Sequence, residues 1–336
     1  MYFSIVIPVY NRPDELEELL QSLVLQDFRK PFEVVVVDDG STLSSYEVVS
    51  RFESELNLSF YYKANSGPGD SRNFGMKKAK GDYFIIFDSD CIIPENYLSH
   101  VEAALNQNFS DCFGGPDEAH PSFTSIQKAI NFSMTSVLTT GGIRGASEKT
   151  QKFQPRSFNM GISKKAFEAS NGFGLIHPGE DPDLSIRLWK LGFETQLISK
   201  AFVYHKRRID WSKFAKQVYK FGKVRPILNT WHPEFTKLTF WFPTLFIIGL
   251  DIALLIMLFG IFIPIYFYIS YFFILLITSS WHTKSLKIGF LSIIAVLIQF
   301  YGYGIGFLES QISLNILKRD PEKQFPDLFF KSKFHD

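Results

Sequence analysis

Two patterns of apolar residues divide the chain. Over roughly the first 208 residues, short apolar runs alternate with amphipathic stretches. Ser4–Val9 is an almost unbroken apolar, β-branched run, as expected of a parallel strand buried on both faces. Leu16, Leu19, Leu20 and Leu23 then recur at helical spacing, with Asn11 placed to cap that helix and Pro13 in its first turn. Phe32–Val37 is a second buried strand, and it ends in Asp38-Asp39-Gly40-Ser41. A helix over Ser45–Leu56, an aromatic strand at Phe60–Lys63 and a helix near Ser71–Ala79 follow. Tyr83–Phe87 is a further apolar strand, ending in Asp88-Ser89-Asp90. This order predicts an α/β domain built on an open, doubly wound sheet with right-handed crossovers.

The second pattern has no polar face. From Phe240 to Ser280 there are 41 residues with one formal charge, Asp251, and from Gly289 to Leu308 another 20 with none. A bilayer span needs about 20 apolar residues. Segments 240–259, 262–280 and 289–308 are therefore expected to cross a membrane, the first two joined by a tight turn near Phe259–Pro264. A charge within a span is costly, so Asp251 is expected to face a helix partner or a polar cavity. Between the two patterns, Lys200–Arg225 holds nine basic residues and one acidic one. Trp211, Phe214, Ala215, Val218, Phe221 and Gly222 recur there at helical spacing, with Lys213, Lys216, Lys220 and Lys223 elsewhere. That reads as an interfacial amphipathic helix with its cationic face toward anionic lipid headgroups. The expected organisation is a globular domain over 1–208, interfacial helix and linker over 209–238, membrane region over 239–308 and polar tail over 309–336.

Met1–Pro8 is too short an apolar stretch for export, so the globular domain is expected to face the cytosol. The loop Trp281–Ile288, with Lys284 and Lys287, fits a cytosolic return. Three spans then put Lys318, Arg319, Lys323, Lys331 and Lys333 outside, against the positive-inside tendency.

Composition changes this picture little. With 35 Lys+Arg against 34 Asp+Glu, bulk positive charge does not support a nucleic-acid partner. Two cysteines, Cys91 and Cys112, exclude a disulfide framework.

The chemistry lies at the strand ends. In open sheets of this kind ligands bind beyond the carboxyl ends of the strands. Tyr10-Asn11-Arg12, Asp38-Asp39 and Asp88-Ser89-Asp90 all land there. Two carboxylates two residues apart can serve a hard divalent ion and a ribose hydroxyl together, with phosphates completing the ion's shell. Asn65-Ser-Gly-Pro-Gly-Asp-Ser-Arg72-Asn73 adds a glycine-containing turn entering a helix, with N–H groups and a guanidinium suited to phosphate oxygens. It is neither a Walker loop nor Gly-x-Gly-x-x-Gly.

These motifs, in order, resemble glycosyltransferase family 2 over roughly residues 3–225: Ile-Val-Ile-Pro-Val-Tyr-Asn-Arg, Val-Val-Asp-Asp-Gly-Ser, Asn-x-Gly-x-x-x-x-Arg-Asn and Gly-Asp-Tyr-Phe-Ile-Ile-Phe-Asp-Ser-Asp. The resemblance implies a GT-A fold, a Rossmann-like doubly wound mixed sheet, and an inverting transfer. It implies that Pro8 and Tyr10 line a base pocket and that Asp39 reads the base. Arg72 would lie near base or diphosphate, Asp88 with Ser89 near the ribose, and Asp90 on Mn²⁺ or Mg²⁺. Asn159-Met-Gly-Ile-Ser and Gly172-Phe173 resemble the acceptor-side strand and turn. Gly179-Glu180-Asp181 resembles the family's Glu-Asp motif, with Asp181 as catalytic base and Glu180 on the acceptor side. His205 resembles a late metal ligand, and His177 is placed to touch acceptor. Gly141-Gly142-Ile-Arg144-Gly145 reads as a loop that orders over the donor.

One departure matters. Processive relatives carry Gln-x-x-Arg-Trp on the interfacial helix, whereas this chain has Gln217-Val-Tyr-Lys220-Phe221, without the planar fork or the indole N–H. Gln217 stays an acceptor-side candidate, and the non-processive branch fits better. Gly302, Gly304 and Gly306 are spaced for close helix approach.

The reading is a membrane-anchored, metal-dependent inverting glycosyltransferase. It would use a UDP- or GDP-linked sugar and a hydroxyl of a lipid-linked saccharide in cell-surface glycan synthesis, at a bacterial inner membrane with the catalytic domain in the cytosol. Membrane lipids are its other expected partners. One alternative is a polyprenyl-phosphate sugar synthase, whose acceptor is already ionised and needs no base. Another is an inactive nucleotide-sugar-binding scaffold. A nucleotidyltransferase lacks its expected phosphate-rich loop.

Overall fold

The computed structural model describes residues 1–140, 153–206 and 210–330. In chain order its elements are β1 (Phe3–Val9), α1 (Pro13–Val24), β2 (Glu33–Asp38), α2 (Tyr46–Ser50), β3 (Leu58–Tyr62), α3 (Pro68–Lys78), β4 (Tyr83–Phe87), β5 (Cys91–Ile92) and α4 (Tyr97–Gln107). Next come β6 (Cys112–Gly114), β7 (Asp117–Glu118), α5 (Ser125–Thr135), α6 (Val137–Thr140), β8 (Asn159–Ser163), α7 (Lys164–Ser170), α8 (Glu180–Lys190), β9 (Thr195–Leu197) and β10 (Val203–His205). The remainder is helical: α9 (Trp211–Trp231), α10 (Phe242–Met257), α11 (Ile263–Thr283), α12 (Leu286–Gln311) and α13 (Pro321–Gln324).

The chain forms two compact units. The first takes residues 1–120, 153–206 and 329–330, and the second residues 121–140 and 210–328. A single boundary near residue 208 therefore does not describe the fold, because α5 and α6 group with the later helices.

In the first unit, a seven-stranded mixed sheet has the order β3-β2-β1-β4-β8-β6-β9. The four strands β3, β2, β1 and β4 run parallel, and β8 is antiparallel to both β4 and β6. Helices pack on both faces. Ile5, Ile7, Val34 and Val36 meet Leu16, Leu19 and Leu20 on one side. Val6, Phe84 and Ile86 meet Met160, Leu184 and Leu188 on the other. Each such side chain contributes roughly 1.5–3 kcal/mol when fully buried. This explains the unbroken apolar runs: both faces are core.

A second, three-stranded sheet, β5-β10-β7, pairs Cys91 with His205 and so brings the residue after Asp90 beside the histidine. The stretch from Thr195 to His205 thus contributes two short strands, β9 and β10, to two different sheets. The helix expected over Ser45–Leu56 is regular only through Ser50.

Asn11 does not cap α1. The N-cap is Arg12, which makes no side-chain capping bond. Asn11 lies at φ 54 and its Oδ1 accepts from Thr42 N (2.8 Å), Thr42 Oγ1 (2.9 Å) and Leu43 N (3.1 Å). Its short amide finds backbone donors in another loop before it finds those of its own helix.

The second unit holds three helical stretches long and apolar enough to cross a membrane: Leu238–Met257, Ile263–Thr283 and Leu286–Ile316, of 20, 21 and 31 residues. The turn between the first two contains Gly260 at φ +80. Asp251 accepts a hydrogen bond from Tyr301 on α12, so it does face a helix partner.

Helix α9 crosses α12 closely. A Cβ on Gly222 would stand 2.1 Å from Tyr303 O, and one on Gly306 would stand 2.3 Å from Tyr219 O. Phe214 and Val218 pack against Ile130, Met134 and Ala295. The apolar stripe assigned to the interface is therefore covered by protein, while Lys213 and Lys216 are exposed. The polar tail is likewise not free. Glu309 continues α12 and accepts from Tyr219, with Lys223 Nζ at 3.4 Å. Phe325 and Leu328 are buried.

Candidate active site

In the first unit, the carboxyl ends of β1, β2 and β4 and the N-termini of α3 and α8 bring the polar motifs together. Backbone pairing starts it: Asp39 N–H donates to Val9 O at 2.9 Å, setting the end of β2 beside that of β1. Pro8 is buried in β1 and Tyr10, just beyond it, is exposed.

Asp39 is the hub of the first cluster. Its Oδ1 accepts from Lys63 Nζ (2.6 Å) and Ser66 N (3.0 Å), and its Oδ2 accepts from Gly67 N (2.9 Å) and Asn65 Nδ2 (3.2 Å). Four donors occupy the lone-pair sites of a carboxylate. The residue assigned to base reading therefore also builds the Asn65–Gly67 turn. Lys63, buried and 3.2 Å from Asp70 Oδ2, was not among the residues singled out from sequence. Its only signal is a lysine closing an aromatic strand just before the Asn-x-Gly turn. Asp38 accepts from Ser41 N and Ser45 N and shapes its own loop.

Arg72 is the hub of the second. Rising from α3, its Nη2 donates to Asp88 Oδ1 at 2.6 Å and its Nη1 to Glu180 Oε1 at 3.0 Å. The guanidinium stacks 5.3 Å from the centroid of Phe173. Burial opposes its charge, but Asp88, Glu180 and Asp181 outweigh that and raise its pKa. Glu180 is shared with His177 Nδ1 at 2.9 Å. Burial alone would raise Glu180, yet His177 and Arg72 pull it down to about 2. His177 is correspondingly raised: burial works against its charge and Glu180 outweighs it.

Asp181 goes the opposite way. Burial and the adjacent Glu180 raise it, against the lowering influence of Arg72, Arg156 and Ser157. Its Oδ1 is buried and has no hydrogen-bond partner among the described residues. Arg156 and Ser157, which face it, were not foreseen; nothing in their local pattern marks them.

Asp90 holds Arg12 Nη1 at 2.8 Å on Oδ2 and His205 Nε2 at 3.2 Å on Oδ1. One ligand atom from each of Asp90, Cys91 and His205 lies within 4.8 Å of the others. Two adjacent ligands on an ion with bonds of about 2.1–2.2 Å stand roughly 3 Å apart, so the Asp90–His205 spacing fits a divalent ion. His205 stacks on Phe158 at 4.4 Å, and its buried Nδ1 has no hydrogen-bond partner among the described residues. The Asp90 carboxylate, open to further oxygen ligands, is the donor type that suits Mg²⁺ or Mn²⁺. The thiol of Cys91, 1% exposed, donates to Phe158 O instead. Ser89 is buried between Asp88 and Asp90.

Of the remaining candidates, Gln217 is half-buried on α9 in the second unit, and Gly141–Gly145 lies outside the described residues.

Residues 4–170 match the family model described as Glycosyl transferase family 2. The poly(ribitol-phosphate) beta-N-acetylglucosaminyltransferase TarS of Staphylococcus aureus strain Mu50 is 41% identical over 114 residues, 33% of this chain and 20% of that protein. The match thus spans a fifth of that relative's length. Two solved structures share the fold. S. aureus TarS 1-349 in complex with UDP-GlcNAc aligns with a TM-score of 0.50 at 20% identity, covering 93% of this chain and 92% of that one. The mannosyltransferase PcManGT from Pyrobaculum calidifontis, in complex with GDP-Man and Mn²⁺, aligns with a TM-score of 0.53 at 17% identity, covering 67% and 63%. The mixed sheet is that of a GT-A fold.

Proposed function

The chain carries a glycosyltransferase family 2 domain in residues 4–170, and from that premise we propose an inverting, metal-dependent glycosyltransferase acting at a membrane. It moves a sugar from a nucleotide-diphosphate sugar to a hydroxyl of a lipid-linked saccharide. The observation that carries the proposal is the buried Asp181 Oδ1, without a hydrogen-bond partner among the described residues, at the edge of a cluster otherwise saturated with ion pairs.

Each residue then has a task. Pro8 and Tyr10 flank the base. Asp39 holds the turn beneath it, and its longest bond, from Asn65 Nδ2 at 3.2 Å, is the one a base N–H can take over. Asp88 meets the ribose, and Arg72 offers a guanidinium to the diphosphate. Asp90 and His205 would hold Mg²⁺ or Mn²⁺. Such an ion, when bound, neutralises charge developing on the leaving diphosphate.

The acceptor oxygen attacks the anomeric carbon from the face opposite the diphosphate. The new C–O bond forms as the sugar–phosphate bond breaks, and that electron pair leaves with the nucleoside diphosphate. Asp181 takes the hydroxyl proton. Its raised pKa makes it a stronger base than an ordinary aspartate. A phosphate acceptor would arrive already ionised and would have no use for such a base, which favours a hydroxyl. The three apolar helical stretches support a lipid-linked acceptor and an integral membrane location.

The test is a melting panel on the full chain in detergent, with UDP, GDP and their sugars, with and without Mn²⁺. A ligand at about 100 times its Kd stabilises by roughly 2.7 kcal/mol. Nucleotide stabilisation that grows with Mn²⁺, loses that increment in Asp90→Ala, and persists in a transfer-dead Asp181→Asn is the expected result. Absence of any nucleotide-dependent shift in the unmutated chain would end the proposal.

A further inference from the structure

Phe329 and Phe330 belong to the first unit, although the residues before them belong to the second. Phe329 forms an antiparallel bridge with Ile176, which is 1% exposed. Phe330 N–H donates to Leu175 O at 3.0 Å. This short pairing lies immediately before His177 and Glu180. The Phe330 ring sits 6.1 Å from the His177 ring. It also covers Gly67 so closely that a Cβ there would fall 2.4–2.7 Å from three of its carbons.

Gly67 is no passive neighbour. At φ +96 it adopts a conformation favouring glycine, donates to Asp39 Oδ2 and caps α3, the helix that carries Arg72. One aromatic ring thus abuts the turn held by Asp39 on one side and the segment leading to Glu180 on the other. The ring occupies the space that only a glycine leaves open, so each constrains the other.

We propose that Phe330, registered by the Phe329 bridge, is a positioning residue of the nucleotide-sugar site. It fixes the spacing between the Ser66–Gly67 turn and the Leu175–His177 segment, and through them the position of Arg72 on α3 relative to its anchor Glu180. The inference rests on the glycosyltransferase reading for its ligand, and not for its geometry.

The full chain in detergent is titrated calorimetrically with UDP and with GDP in the presence of Mn²⁺. Phe330→Ala is expected to raise Kd about tenfold, Phe330→Leu about threefold, and Phe330→Tyr, which keeps the ring, less than twofold. Phe325→Leu disturbs the same tail within the second unit. It is expected to lower the melting temperature while leaving Kd within twofold. In parallel, amide exchange over residues 174–180 is expected to quicken at least tenfold in Phe330→Ala and not in Phe325→Leu.

An unchanged Kd and unchanged exchange in Phe330→Ala overturn the proposal, as does an equal loss of affinity in Phe325→Leu. If Phe330→Ala does not fold, the leucine and tyrosine variants carry the same comparison. If the unmutated chain binds neither nucleotide, the donor assignment fails instead, and the exchange comparison alone decides whether Phe330 positions the segment.

Discussion

Replacing Lys63 by methionine isolates the least expected interaction in the first unit. Lys63 Nζ is 2.6 Å from Asp39 Oδ1 and 3.2 Å from Asp70 Oδ2, and the side chains of Lys63 and Asp39 are 4% and 5% exposed. Methionine keeps the volume and removes the charge. Breaking a buried pair from one side costs about 3–5 kcal/mol, because the remaining charge stays desolvated. Asp39 keeps three other donors, Ser66 N, Gly67 N and Asn65 Nδ2, which places the loss near the lower end, about 3 kcal/mol. For a domain of this size that corresponds to a fall of roughly 6–12 °C in melting temperature. The assay is proteolysis-coupled melting that follows peptides from residues 1–120, so that the helical unit does not mask the transition. A double-mutant cycle with Asp39→Asn should return a coupling of about 2 kcal/mol, since the pair is in direct contact. A Lys63→Met melt within about 1 °C of the unmutated chain, or strictly additive losses in the cycle, would refute the reasoning.

Glu180→Gln removes a charge that raises Asp181, so the acid limb of transferase activity should move to lower pH, where the base now stays ionised; an unmoved or raised limb counts against the assignment. The same variant should flatten the acid side of the stability curve. Glu180 is depressed from 4.5 to about 2, so its contribution is complete above pH 4.5 and fades as pH falls toward 2, as urea midpoints between those values would show. Arg72→Lys leaves an ammonium that cannot span Asp88 and Glu180 at once, and nucleotide Kd measured by calorimetry should rise about tenfold. Gly222→Ala drives a methyl into Tyr303 O on α12, and melting read on peptides of the second unit should show a loss of about 1–3 kcal/mol.

What was legible in the sequence was whatever a local window carries. Ser4–Val9 and Tyr83–Phe87 read as buried strands because both faces of the sheet are core, and the motifs at their ends could be placed by topology alone. The apolar segments were equally plain, since nothing polar interrupts them over a span's length. What escaped depends on partners distant in sequence. Arg12 meets Asp90 across 78 positions and Arg72 meets Glu180 across 108, and neither pairing leaves a periodic trace. Asn11 looked like a cap because its neighbours suit one, yet the loop at Thr42–Leu43 offered three donors. The stripe on α9 announced an amphipathic helix correctly and could not say whether lipid or protein would cover it. The covering surface, on α5 and α12, lies about 80 residues away on either side.

The Glu180–Asp181 pair shows where sequence and structure each contribute. Adjacent acids at a helix N-terminus gain from the helix dipole alike, and apart from the family resemblance nothing in their order distinguishes them. The packing does. Glu180 points to Arg72 and His177 and is held at about 2, while Asp181 is lifted by burial and by Glu180 itself. Neighbouring groups whose environments push their pKa values apart are the arrangement that separates a permanent anion from a group able to exchange a proton. Glu180 is therefore the anchor that fixes Arg72, and its charge is part of what makes Asp181 basic. On this reasoning the two are not interchangeable: Glu180→Gln should weaken both donor binding and basicity, whereas Asp181→Asn should remove proton transfer and leave the Arg72–Glu180–His177 network in place.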